Sequence, residues 1–89
     1  MIKTIEFKEW LKNNTTFSDN VIKDTVSRMK RADYLLEWKD EEIYQFHLEH
    51  IDDYMNLSVS VRSQIKRAIK LYTEFQRQQN NDQAKDDQP

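Results

Sequence analysis

Apolar residues recur along this chain at the spacing of helices, and short polar runs interrupt them. The first stretch, Ile5-Glu6-Phe7-Lys8-Glu9-Trp10-Leu11-Lys12, is amphipathic, with Thr4 placed to cap it and Glu6 and Glu9 near its positive end. Asn13-Asn14-Thr15-Thr16 breaks the pattern, so the first helix is predicted over residues 4–13. Ser18 offers a second cap, with Asp19 in the first turn and Phe17 positioned to staple back onto the helix. Val21, Ile22, Thr25, Val26, Met29, Ala32, Leu35 and Leu36 then share one broad face, which predicts a helix over 19–36.

Asp40-Glu41-Glu42 places acid at the start of a third helix, with Ile43 and Phe46 expected inward and Tyr44 and Leu48 as further inward candidates. A bend near His50-Ile51 leaves one more short turn through Asp52-Asp53-Tyr54-Met55. The last and longest helix is predicted over 59–79, capped by Ser58 or Ser60. Its inward stripe is Val61, Ile65, Ala68, Ile69, Tyr72 and Phe75. From Gln78 onward only Ala84 is apolar, so residues 1–77 are expected to form the domain and 78–89 a disordered polar tail. There is no internal repeat.

Composition narrows the fold further. The chain has 89 residues with no Gly, no Cys and a single Pro. Hairpin turns, bulges and phosphate-cradling loops depend on Gly, so all-β folds, dinucleotide-binding fingerprints and P-loops are disfavoured together. Lack of Cys removes disulfides, thiol catalysis and Cys-ligated zinc. The expectation is an all-α, compact orthogonal bundle of four to five helices. With 37% hydrophobic and 34% charged residues the core must be small, and nearly every large apolar residue is needed in it. No apolar run approaches the ~18 residues of a membrane span, and no signal peptide is evident, so a cytoplasmic protein is expected. Met1 and the polar C-terminal run are those expected of a complete chain rather than an excised domain.

Charge changes the picture again. The net charge is -2, yet counting Lys and Arg against Asp and Glu gives -6 for residues 36–57 and +4 for residues 58–79. Arg62, Lys66 and Lys70 follow one another at i, i+4 and i+8, with Arg77 near the same line. Stacked like charges are mildly destabilising, and an anionic partner would convert that repulsion into binding. The plainer reading is a solvated face with the acidic residues of 37–53 folded beside it. Lys23, Lys30 and Arg31, with Ser27 and Tyr34, form a second set suited to phosphate, blunted by Asp24 and Asp33. If DNA is the partner, Glu37, Asp40, Glu41, Glu42, Glu49, Asp52 and Asp53 must face away from it; they would suit a basic protein instead.

Signals of chemistry are weak. His47 and His50 stand three apart near Glu49 and Asp52, but a zinc site wants three or four converging ligands, and no other His or Cys exists. No Ser has a visible His-and-acid partnership, and Tyr72 belongs to the core stripe. No catalysis, cofactor or metal is expected. Trp10 and Trp38 are read as packing in or capping the core, with an exposed Trp38 as the mark of a protein contact.

Four segments in order carry a family resemblance: Phe7-Lys8-Glu9-Trp10-Leu11, Phe17-Ser18-Asp19-Asn20-Val21-Ile22-Lys23, Leu57-Ser58-Val59-Ser60-Val61 and Ala68-Ile69-Lys70-Leu71-Tyr72. Together they resemble the SAM-like core-binding domain near the N-terminus of tyrosine recombinases, the phage integrases, over about residues 5–75. The departures are Val21 and Val61 where that pattern has Thr, Gln64 where Arg is common and Thr25 where Tyr is common. The resemblance implies a half-clamp on duplex DNA made by the second and last helices, in a phage, plasmid or other bacterial mobile element. It carries over Lys23, Lys30, Arg31 and Lys70 as basic positions of the pattern; the catalytic half of such enzymes has no counterpart among these residues.

The expected function is therefore non-catalytic binding of duplex DNA through Lys23, Lys30, Arg31, Arg62, Lys66, Lys70 and Arg77. The alternative is a protein-interaction module that binds and modulates a recombinase or repressor without touching DNA. Six or seven basic contacts on one small domain bind weakly, so a weak homodimer or a protein partner would supplement either activity.

Overall fold

A computed structural model describes residues 2–86, with side chains described through Gln79. The chain is all-helical: α1 Thr4–Asn14, α2 Asp19–Leu35, α3 Tyr44–Glu49, α4 Asp52–Met55 and α5 Val59–Asp86. No strand occurs among the described residues. The three long helices make the small bundle, α2 lying along α5 and α1 packing against both, while α3 and α4 fill the crossover between α2 and α5.

Two serines start the longest helices. Ser18 Oγ accepts from the Val21 amide and Ser58 Oγ from the Val61 amide, each at 3.3 Å, so one otherwise orphaned donor is satisfied at each end. Of the two serines proposed for α5, Ser58 is the cap. Thr4 is not the cap of α1. The Lys3 carbonyl already takes the Phe7 amide at 3.0 Å, which starts the helix one residue earlier and makes Thr4 its first residue.

Helix ends are closed without Gly, and no described residue has a positive φ. At the end of α1, Thr15 is extended and its hydroxyl donates to the Leu11 carbonyl at 2.7 Å. At the end of α2, Leu36 is extended and the capping comes from α3. The Tyr44 hydroxyl donates to the Leu36 carbonyl at 2.7 Å and reaches the Ala32 carbonyl at 3.3 Å. Burial, aided by the Asp33 carboxylate, holds this phenol above the ordinary tyrosine range.

The core joins Phe7 and Leu11 of α1, Ile22, Met29 and Ala32 of α2, Tyr44, Leu48 and Tyr54 of the crossover, and Ile65, Ala68, Ile69, Tyr72 and Phe75 of α5. Tyr72 is its hub, edge-on to Phe7 at 5.0 Å and to Trp38 at 4.8 Å between ring centroids. Its hydroxyl accepts from the Lys3 amide at 3.0 Å and from Gln76 Nε2 at 2.8 Å, so this buried phenol ties the first described residues to the last helix. Trp10 and Trp38 are half-buried against the cluster.

The crossover differs from the expectation in its phase. Tyr44 and Leu48 are buried, whereas Ile43 and Phe46 are 49% and 56% exposed. A six-residue helix has one inward stripe, and anchoring the Tyr44 hydroxyl on the end of α2 gives it to positions 44 and 48. Val21, also expected inward, is exposed. Helix α5 runs to Asp86, beyond the expected end at 79, because no Gly or Pro interrupts the sequence before Pro89. Of the tail expected to be disordered, residues 87–89 lie outside the described residues.

Candidate nucleic-acid interface

The cations of α5 meet the chain's own acids. Lys66 Nζ lies 2.6 Å from Glu49 Oε1, and Arg77 Nη2 lies 3.5 Å from Asp40 Oδ1. The hydrogen bond from Lys66 holds the Glu49 carboxyl below the usual carboxylate range, and the same bond raises the Lys66 ammonium. Lys70 shares a hollow with Asp40, Glu41, Glu42, Glu74 and Arg77. Arg62 is half-buried, with Nε enclosed and lacking a hydrogen-bond partner, and its carbonyl accepts from the Tyr54 hydroxyl at 3.4 Å.

This corrects the reading of α5 as a column of unneutralised cations. The acidic crossover does not face away from the stripe: Asp40 and Glu49 reach it, and two of its four cations are paired. Two internal pairs, Glu49 with Lys66 and Asp40 with Arg77, thus join the acidic residues 36–57 to the basic residues 58–79. A lysine column on one helix says nothing of what a sequence-distant segment lays against it.

The α2 cations have a different setting. Lys23, Ser27 and Lys30, at i, i+4 and i+7, line an open hollow together with Thr4, Ile5 and Lys8 of α1 and Val26. A second hollow beside it is lined by Lys8, Lys12, Asp19, Asn20, Ile22 and Lys23. The two hollows share Lys8 and Lys23, so α1 and α2 present one continuous flank with four lysines. Asp19 is the one carboxylate lining it among the described residues. Among the described residues no ion pair within 4.0 Å engages Lys8, Lys12, Lys23, Lys30 or Arg31. Arg31 is exposed one helical step round from Lys30.

Lys8 and Lys12 were not among the site residues expected from sequence. In isolation they are the polar side of a short amphipathic helix, and their i, i+4 spacing was the available signal. Only the packing of α1 on α2 brings them beside Lys23 and Lys30. The seven expected residues thus fall into two groups, Lys23, Lys30 and Arg31 on α2 and Arg62, Lys66, Lys70 and Arg77 on α5.

Between α2 and α5, Arg28 Nε donates to Gln64 Oε1 at 2.8 Å, and Arg67, Asp24, Phe17 and Val21 line the adjoining hollow. Gln64 therefore bridges the two long helices, and the Thr25 hydroxyl is turned onto the Val21 carbonyl at 2.8 Å. On α3, His50 Nδ1 lies 2.8 Å from the Phe46 carbonyl, and no group of three His, Cys, Asp or Glu residues is placed to hold a metal among the described residues. No described helix is long and apolar enough to cross a membrane. The chain matches no protein-family model, and neither a curated protein nor a solved structure matches it.

Proposed function

We propose that this chain is a non-catalytic module that binds duplex DNA through its phosphates, with the α1–α2 flank as the contact surface. The observation that carries this reading is the shared hollow in which Lys8 of α1 joins Lys23, Ser27 and Lys30 of α2 with no carboxylate in its lining. Clustered ammonium groups repel one another and hold counterions nearby. A phosphate backbone relieves the repulsion and releases its own condensed cations, which makes binding favourable and salt-dependent. Lys12 extends the surface, Ser27 adds a hydroxyl donor, and Arg31 lies at its edge. The resemblance to integrase core-binding domains supports the use of the second helix; on α5 the internal ion pairs leave Arg62 and Lys70 as secondary contacts.

Four or five phosphate contacts give a log–log salt slope of about -4 and sequence-tolerant affinity of order 10⁻⁴–10⁻⁶ M at physiological salt. The test is fluorescence anisotropy with a generic 20-base-pair duplex from about 50 to 200 mM salt. Lys23→Gln with Lys30→Gln is expected to flatten the slope by about 1.8, at about 0.9 per lost contact, and Lys66→Gln with Arg77→Gln to leave it nearly unchanged. An absence of wild-type binding at the lowest salt overturns the proposal in favour of a module that acts on another protein.

A further inference from the structure

Helix α3 with its two flanking residues, 43–50, has two faces, and the bundle uses one of them. Tyr44 and Leu48 point into the core. Phe46 and His47 of the helix and its capping residues Ile43 and His50 are all exposed and lie on the other side. The Phe46 ring is not loose there: its centroid is 4.4 Å from that of His50 and 6.1 Å from that of His47, and His50 is anchored on the Phe46 carbonyl. A partner meeting this face finds an aromatic anchor already ordered, which lowers the entropic cost of docking.

The rim is acidic. Exposed Glu41 and Glu42 precede the face and exposed Asp52 and Asp53 follow it; Glu41 and Glu42 share a hollow with Lys70 and Arg77 of α5, whereas among the described residues no ion pair engages Asp52 or Asp53. We infer that the outer face of α3 is a docking site for a basic amphipathic helix of another protein, its apolar side covering Ile43 and Phe46 and its Lys or Arg residues meeting the carboxylate rim. A second copy of this chain is a poorer occupant. Its lysine flank on α1 and α2 could meet the acidic face only head to tail, a contact that leaves both ends open and builds chains rather than a closed dimer. The site does not depend on the DNA-binding proposal and lies on other residues.

The probes are two fluorescein-labelled 14-residue peptides with leucine at i, i+3, i+4 and i+7. Lysine fills the remaining positions of one and glutamate those of the other. Anisotropy on the full chain is expected to show binding of the lysine peptide only. Phe46→Ser and Ile43→Ser each weaken it at least tenfold, while Val59→Ser, which alters an exposed apolar residue at the start of α5, does not. Circular dichroism melts of the variants should match the wild type because the altered side chains are exposed. The inference is overturned if the glutamate peptide binds equally, if Phe46→Ser and Ile43→Ser bind like the wild type, or if Val59→Ser loses as much. It is also overturned if the chain alone sediments as an oligomer that Phe46→Ser dissolves, which would assign the face to a second copy.

Discussion

Replacing Glu49 by Gln removes the carboxylate that lies against Lys66 and so measures how firmly the acidic crossover holds α5. At 2.6 Å the attraction between unit charges in water is about 1.6 kcal/mol before other terms are counted. The two side chains keep 44% and 35% of their exposure, so solvent screens the pair, and ordering two long side chains costs much of what remains. A net coupling of about 0.5 kcal/mol is expected, or roughly 2–4 °C in Tm for a domain of this size. Its pH dependence follows from both partners. Glu49 is held low, so its contribution is present above the ordinary glutamate pKa and fades as pH falls through the lowered folded value. Lys66 is held high, so its contribution is complete below the ordinary lysine pKa and is lost as pH rises through the raised folded value. The coupling should therefore be flat from about pH 5 to about pH 10 and shrink at both ends. Urea unfolding followed by fluorescence of Trp10 and Trp38, on wild type, Glu49→Gln, Lys66→Met and the double variant, gives it as a double-mutant cycle. Zero coupling at pH 7 and low salt, or a coupling that survives protonation of Glu49, would refute the reasoning and return Lys66 to the pool of cations free for a ligand.

Other consequences are simpler to check. Tyr44→Phe removes the hydroxyl that caps the end of α2 and should cost about 1–2 kcal/mol in thermal or urea unfolding; an unchanged midpoint would show that the 2.7 Å bond to Leu36 contributes nothing. Burial also raises the Tyr44 and Tyr54 phenols, so an ultraviolet titration of the folded chain should complete at higher pH than that of the urea-unfolded chain; coincident titrations would contradict the packing of these rings. Ser18→Ala and Ser58→Ala each remove a helix cap and should destabilise the fold by about 0.5–1 kcal/mol, with the two losses adding in the double variant.

The long helices were legible because two serine caps and many turns of regular spacing fix both their start and their phase. In α5 the inward stripe from Ile65 to Phe75 is buried as its spacing implies. Helix α3 was not legible. Its few residues carry apolar side chains on both faces, and the choice between them rests on a hydrogen bond from Tyr44 to the end of another helix. The electrostatics failed for a related reason. Spacing along one helix identifies cations that share a face, but the carboxylates that neutralise Lys66 and Arg77 come from positions 49 and 40, placed by tertiary packing. The same packing joins Lys8 and Lys12 to Lys23 and Lys30, a cluster that belongs to two helices and that neither one's pattern contains.

The most direct test of the proposed contact surface is a two-dimensional amide NMR titration of the isotope-labelled chain with a generic duplex at about 50 mM salt. The amides around Lys8, Lys12, Lys23, Ser27 and Lys30 should move together and saturate, while those of α5 move less, as secondary contacts at Arg62 and Lys70 imply. Movement confined to residues 62–77, with a silent α1–α2 flank, would contradict the account.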